Sequence, residues 1–392
     1  MRDTWLELAP GTRIVVAMSG GVDSSVAAAL LVERGCDVIG ITMKNFCYGE
    51  LPEEHASAAC CSIEAIEDAR AVARRLGVAH HVLDFEGPFR EAVMDPFVAE
   101  YAAGRTPNPC VRCNRFVRFP QLWRKARMLG AEAVATGHYA RAARNGAGRP
   151  ADDGARPERR PGEVALLRPA DRAKDQTFYL WGLTPPLLER AAFPLGAMTK
   201  DEVRAKARAL GLEVADKRES QDICFIPDGD LRGFLDRYHE ERPGVAGGER
   251  FRPGPIRTLA GATIGEHAGS GFFTVGQRRG LALAGQEEPL YVVAIEDGNA
   301  VVVGTARDLD APGLEAEEMN WLVDPAGAEA FRAQVQIRYR SPAVPARVVP
   351  LPDRAARVEF EAPQRAVAPG QSVVLYEGDR VLGGGTITHS IG

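Results

Sequence analysis

The sequence predicts an α/β protein in three parts: an N-terminal doubly wound parallel-sheet domain, a small irregular β-rich central domain and a C-terminal antiparallel β-barrel. Three observations carry this expectation. Short apolar runs alternate with amphipathic helical stretches over the first half, which implies a parallel sheet with helices on both faces. A glycine turn, MSGGVDSS, follows the first apolar run. The last third reads as short strands broken by Pro and Gly. Boundaries are expected at residues 1–225, 226–288 and 289–392, with a low-complexity insertion at about 144–163.

In chain order, a buried strand spans Ile14 to Met18, and a helix with an Ala, Val and Leu inner face follows the glycine turn. DVIGITM is a second strand, SIEAIEDARAVARRLG a helix ended by Gly77, and AHHVLDF a third strand. A helix from Phe119 to Leu129, ended by Gly130, leads into the strand AEAVATGHYA. Ligands of such sheets sit at the carboxyl ends of the strands. The glycine turn and the segment TPNPCVRCN are both expected to open onto that edge. The stretch RNGAGRPADDGARPERRPGE has no apolar periodicity and reads as a surface loop or an expanded hairpin tip. MTKDEVRAKARALG is a helix capped by Thr199, with acids in its first turn. LYVVAIEDGNAVVVG is a hairpin turning at Asp297-Gly298, and it is grouped with the C-terminal strands.

At 392 residues and 45% hydrophobic content, the chain can bury a substantial core. No run approaches the roughly 18 apolar residues of a membrane span, and the start lacks a signal-peptide pattern. A cytoplasmic protein without membrane attachment is expected. The 7 cysteines are odd in number and scattered, which argues against a secreted disulfide framework. The formal net charge of -5 hides two stretches without Asp or Glu. Tyr101 to Ala131 holds Arg105, Arg112, Arg115, Arg118, Arg124, Lys125 and Arg127; residues 331–349 hold Arg332, Arg338, Arg340 and Arg347. Such runs favour a polyanionic partner.

The chemistry begins at the glycine turn. Ser19, Gly20, Gly21, Asp23 and Ser24 lie between a strand and a helix, where glycines let backbone amides approach an anion and the helix amino terminus attracts it. The turn lacks the Gly-Lys-Ser/Thr of a Walker A loop and the G-x-G-x-x-G of a dinucleotide site. Its S-G-G-x-D-S pattern resembles the PP-loop of the ATP pyrophosphatase superfamily. That resemblance implies cleavage of ATP between the α and β phosphates and adenylation of a substrate, with Asp23 holding Mg²⁺ or orienting the phosphates. An adenylate must be displaced by ammonia, an amine or sulfur. No glutaminase signature is present, and the cysteines favour sulfur. The C-x-x-C of Cys110 and Cys113 is by itself compatible with a zinc site, a redox pair or iron–sulfur ligation.

The blocks MSGGVDSS, GITMKNF, GRTPNPCVRCN, ATGHYA, KDQTFYL, ESQDICFI, FTVGQRRGL, RYR and PGQSVVLY occur nearly end to end. Their order resembles that of tRNA-specific 2-thiouridylases of the MnmA type. The resemblance implies a PP-loop catalytic domain and replacement of the C2 oxygen of a tRNA wobble uridine by sulfur. The tRNAs would be Lys, Glu and Gln isoacceptors, and a cysteine desulfurase or sulfur relay protein would be the donor. It assigns ATP binding to Ala17, Met18, Ser19, Gly20, Gly21, Val22, Asp23, Ser24, Met43 and Gly137. Asn108, Pro109 and Cys110 would face the target base. His138, Lys174, Asp175, Gln176, Arg338, Tyr339, Arg340 and Gln371 would contact tRNA. Cys113 would be the nucleophile and Cys224 the persulfide carrier, resolved through a Cys113–Cys224 disulfide. Beside Cys113, Arg112 and Arg115 would favour a thiolate.

One departure stands out: Cys110 occupies a position where many members carry an acid/base Asp. Cys110, Cys113 and Cys224 are therefore also candidate ligands for three irons of a [4Fe-4S] cluster, whose fourth iron would carry sulfide. Cys60 and Cys61, adjacent and ahead of a helix, are expected to be structural. Competing readings are another PP-loop ligase that amidates its substrate, or a non-catalytic tRNA- or metal-binding module.

Overall fold

The computed structural model describes residues 3–46, 63–144, 163–217, 223–245, 248–283, 288–325 and 329–392. The Cys60–Cys61 pair and most of the low-complexity insertion fall outside these residues.

The first half builds β1 (Arg13–Ala17), α1 (Val22–Glu33), β2 (Asp37–Lys44), α2 (Ile63–Leu76), β3 (Ala79–Asp84) and β4 (Ala133–Ala135). A hairpin of β5 (Arg141–Arg144) and β6 (Val164–Leu167) and the two-residue β7 (Ala191–Ala192) follow. The parallel sheet runs in the order β3-β2-β1-β4-β7. Its topological switch lies between β1 and β4, the crevice where such sheets bind ligands. The strand expected through Tyr139 and Ala140 is shorter, because the chain leaves the sheet after Ala135 to turn toward α1. β7 is too short to leave a periodic signal, which is why the sequence did not disclose it.

Two further helical runs cover one face. α3 (Glu86–Phe89) and α4 (Asp95–Ala102) are joined by a π-helical turn, Arg90–Met94. α5 (Pro109–Arg112) and α6 (Phe119–Met128) are joined by another, Cys113–Arg118. The helix expected from Phe119 thus starts at Pro109. The Asn108 side chain accepts a hydrogen bond from the Val111 N–H at 3.3 Å, and Pro109 supplies the preset φ of a first helical position. α7 (Pro185–Leu188), α8 (Lys200–Ala209) and α9 (Leu231–Glu241) complete the helices. α8 starts with the expected Thr199 cap, closed into a capping box by Glu202.

The central part is a four-stranded sheet of β8 (Gly254–Thr258), β9 (Thr263–His267), β10 (Tyr291–Ile295) and β11 (Val301–Gly304), ordered β10-β11-β8-β9. The hairpin with Asp297-Gly298 forms as expected but belongs here and not to the barrel. Val301 to Val303 pair in parallel with Ile256 to Thr258, and Val292, Val301 and Val303 share a core with Ile256, Phe273 and Leu281. The barrel comprises β12 (Asp310–Trp321), β13 (Phe331–Gln336), β14 (Val344–Leu351), β15 (Ala355–Arg365), β16 (Ser372–Glu377) and β17 (Arg380–Ile391), closed by β12–β17 pairing. β6 extends the barrel sheet through Leu167 and Arg380. Between barrel and first domain lies a shared apolar layer that includes Val111, Phe119, Phe178, Trp181, Val374 and Tyr376. Among the described residues no helix is long and apolar enough to cross a membrane.

Candidate active site at the carboxyl edge of the sheet

The turn after β1 delivers Ser19 to Asp23 to the crevice. Gly20 has φ +70, a left-handed backbone that a side chain would strain, and a Cβ there would lie 2.1 Å from the Ala65 carbonyl oxygen of α2. The Ser24 hydroxyl holds the turn from inside, donating to the Gly21 carbonyl at 3.1 Å and accepting from the Ser19 N–H at 3.2 Å. Gly21 at the N-cap has no side chain to cap α1, and among the described residues no side-chain cap bond is made there. The first N–H groups of a helix lack intrahelical partners, so those of α1 are left for an anion. Met43 is the penultimate residue of β2, and Gly137 follows β4 against the first turn of α1. The phosphate-binding residues expected from the sequence therefore meet at one edge.

Asp23 is the surprise of the loop. Lys200 Nζ lies 2.8 and 2.9 Å from its two carboxylate oxygens, and the Tyr139 hydroxyl donates to Oδ1 at 2.9 Å. Neither partner was expected at this loop from the sequence; Lys200 is 177 positions away.

The cysteines divide. Cys113 is buried in the core cluster that also holds Met43, Phe89, Phe225 and Ile226, and Cys224 packs against that cluster. The segment carrying Cys224 thus already lies against the first domain. Cys110, one turn earlier, is exposed. Among the described residues no three His, Cys, Asp or Glu side chains gather closely enough to hold a metal ion. Cys110, Cys113 and Cys224 are not gathered in one such group.

The arginines near Cys113 are mostly committed inside the protein. Arg112 donates to the Ala92 carbonyl of the Arg90–Met94 turn at 2.9 Å, and Arg115 pairs with barrel residue Glu318 at 3.1 Å. Arg118 donates to Asn114 at 3.0 Å and meets His138 Nε2 at 3.3 Å. Because a guanidinium only donates, Nε2 accepts, and Nδ1 carries the proton that points to Thr136 Oγ1 at 2.7 Å. Burial first, and Arg118 second, lower the His138 pKa to about 3. The unfolded chain then binds a proton at His138 between about 3 and the ordinary 6.5 while the folded one does not. Its contribution to stability is full above 6.5 and falls as pH drops through that window. Denaturant midpoints at pH 7.5 and 5 should therefore differ more for this chain than for His138→Gln.

The TPNPCVRCN corner is clamped from two sides. Thr106 donates its N–H to the Pro369 carbonyl at 2.8 Å and its hydroxyl to Thr274 of the central part at 3.1 Å. Gln371 Nε2 donates to the Thr106 carbonyl at 2.9 Å. Gln371, expected to touch RNA, also holds the corner in place through this bond. A cavity of about 80 Å³ remains between corner and barrel, lined by Asn108, Val111, Arg115, Trp181 and Glu318 among others.

Of the remaining expected RNA contacts, Asp175 accepts from Thr177 and pairs with Arg168 at 3.4 Å, and Gln176 Oε1 accepts from the Tyr139 N–H at 2.8 Å. These two shape the loop. Lys174 is half-buried at the end of a 3-10 turn. Arg338 and Arg340 are exposed on the β13–β14 connection, and Tyr339 packs against Tyr179 with ring centroids 4.5 Å apart and planes tilted by 35°. Tyr179, which the sequence did not single out, has its hydroxyl pKa raised by burial, then by neighbouring Cys110 and Tyr339, with Arg340 acting in the opposite sense. Cys110, Tyr179, Tyr339 and Arg340 thus share one neighbourhood.

Residues 12–228 match the family described as tRNA methyl transferase HUP domain, 247–305 the tRNA methyl transferase PRC-barrel domain and 312–387 the aminomethyltransferase beta-barrel domain. The tRNA-specific 2-thiouridylase MnmA of Pelotomaculum thermopropionicum is 46% identical over 377 residues, covering 96% of this chain and 97% of the relative. The chain belongs to the MnmA family. The Geobacter metallireducens member is 48% identical over 378 residues, covering 96% of each chain. A solved 4-thiouridine synthetase–RNA complex with bound ATP aligns with 60% of this chain and 51% of its own at 18% identity, with a TM-score of 0.36, too loose to argue from. As a member of the MnmA family, the chain has a parallel sheet whose strands all lie within the residues of the HUP match. The hairpin at 291–304 falls within its PRC-barrel match, in keeping with the observed pairing.

Proposed function

We propose that this chain is an ATP-dependent tRNA 2-sulfurtransferase acting on the wobble uridine, and that it works by the persulfide route. The observation that carries the reading is near-full-length membership of the MnmA family, joined to a glycine turn whose helix end stands uncapped. The uridine O2 attacks the α-phosphate of ATP, and the electron pair of the broken bond leaves with pyrophosphate. The terminal sulfur of a Cys224 persulfide then attacks C2, and AMP leaves. Cys113 attacks the Cys224 sulfur, releasing 2-thiouridine and forming a Cys113–Cys224 disulfide. An external dithiol reopens it, supplying two electrons and two protons and becoming a disulfide itself. Mg²⁺ would arrive on the nucleotide's phosphates and neutralise them, since both oxygens of Asp23 face Lys200.

The cysteine arrangement supports the persulfide over a cluster-bound sulfide: Cys113 and Cys224 share a core and Cys110 stands outside it. The sulfur donor is a persulfide-bearing protein, and Lys, Glu and Gln tRNAs are the substrates to try first. Purified protein, ATP, unmodified tRNA and a sulfur donor, combined without oxygen, should yield thiouridine detectable by mass spectrometry. Cys110→Ala should keep at least about a tenth of that yield, with no acid-labile sulfide in the reconstituted protein. Thiouridine lost in Cys110→Ala together with bound iron in the unaltered chain would favour the cluster. Pyrophosphate release that needs ammonia in place of sulfur would mark an amidating ligase, and no release with any acceptor a binding module.

A further inference from the structure

We infer that Lys200 is a phosphate-contacting residue of the ATP site, a role resting on the adenylating function proposed above. Its side chain is only 10% exposed, and its ammonium reaches the first turn of α1 through Asp23. Helix formation does not account for a lysine there. Lys200 is the first residue of α8, at the positive end of the helix dipole, where acids are favoured and where Asp201 and Glu202 already stand. Burial adds a desolvation cost that only a close opposite charge offsets.

The partner makes the reading specific. Asp23 lies in the anion cradle, where an unneutralised carboxylate would repel a polyphosphate. Lys200 cancels that charge, while Tyr139 fixes the same carboxylate from another side. The amino-terminal turns of α1 and α8 thus meet across one ion pair, with an ammonium on a flexible four-carbon stem beside the uncapped end of α1. When O2 of the uridine bonds to the α-phosphorus, the bond to the bridging oxygen breaks and its electron pair goes to pyrophosphate. Lys200 donates a charge-assisted hydrogen bond to the phosphate oxygens that gain this charge.

The test is equilibrium binding of a non-cleavable probe, α,β-methylene-ATP, and of AMP to the full chain. Four proteins are compared: unaltered, Lys200→Met, Asp23→Asn and the double variant, in which no charge is left unpaired. Lys200→Met should weaken α,β-methylene-ATP about tenfold to a hundredfold and AMP by less than about threefold, the range of a lost hydrogen bond to a charged group. The double variant should remain about tenfold weaker for α,β-methylene-ATP than Asp23→Asn alone. Equal affinity of those two proteins would mean that Lys200 only neutralises Asp23, and would overturn the inference. So would equal losses for AMP and the triphosphate analogue in the double variant. If the unaltered chain binds neither nucleotide, the adenylating function itself falls, and the inference with it.

Discussion

Cys113→Ser and, separately, Cys224→Ser are expected to reduce thiouridine formation by roughly a thousandfold or more, the scale of losing a covalent participant. Both should leave α,β-methylene-ATP binding within about twofold, because the uncapped end of α1 depends on neither thiol. The two variants should fail differently. With a donor carrying labelled sulfur, Cys224→Ser should acquire no label on the protein. Cys113→Ser should load label onto Cys224 and then trap the RNA as a mixed disulfide, since nothing resolves it. A Cys113→Ser protein that turns over at the unaltered rate would remove Cys113 from the route. Serine nearly preserves volume at the buried Cys113, so thermal midpoints provide a control for packing.

Gly137→Ala should abolish most adenylation while leaving the thiols intact. A Cβ at this position would lie 2.6 Å from the Ser24 nitrogen and 2.7 Å from the Asp23 carbonyl carbon, closer than real Cβ atoms come to backbone. The end of β4 and the first turn of α1 must then separate. A displacement near 1 Å in a site that works by positioning costs about a hundredfold in rate, and the overpacking should lower stability by about 1–3 kcal/mol. Gly87→Ala is the matched control, because a Cβ there meets nothing within 4 Å. Pyrophosphate release measured on both proteins separates the effects; parity between them would mean that the crevice at Gly137 does not serve the nucleotide.

Much of this could be read from the sequence because its determinants are local. An apolar strand, a glycine turn and an apolar helix are adjacent in the chain, and so were β1, the loop and α1. The α5 start is also local, with Asn108 as the cap and Pro109 as the first helical residue. What stayed hidden depends on distant partners. Lys200 looked like an ordinary first-turn residue of a capped helix until folding placed it on Asp23. The hairpin at 291–304 was recognised as a hairpin, yet its sheet was set by Ile256 and Phe273, which no local pattern links to it. The roles of Gln371 and Arg115 likewise arise from contacts across 265 and 203 positions.

The clamp on Thr106 has a consequence for how the molecule chooses among nucleotides. Backbone and Gln371 bonds tie the barrel, which carries Arg340, to the corner that presents Cys110. If the β13–β14 connection grips RNA, as the family resemblance implies for Arg338 and Arg340, it would bring to the corner only the nucleotide that lies the matching contour length away. Much of the selectivity would then work as a ruler, by counting along the backbone, leaving base edges to be checked once a single candidate has arrived.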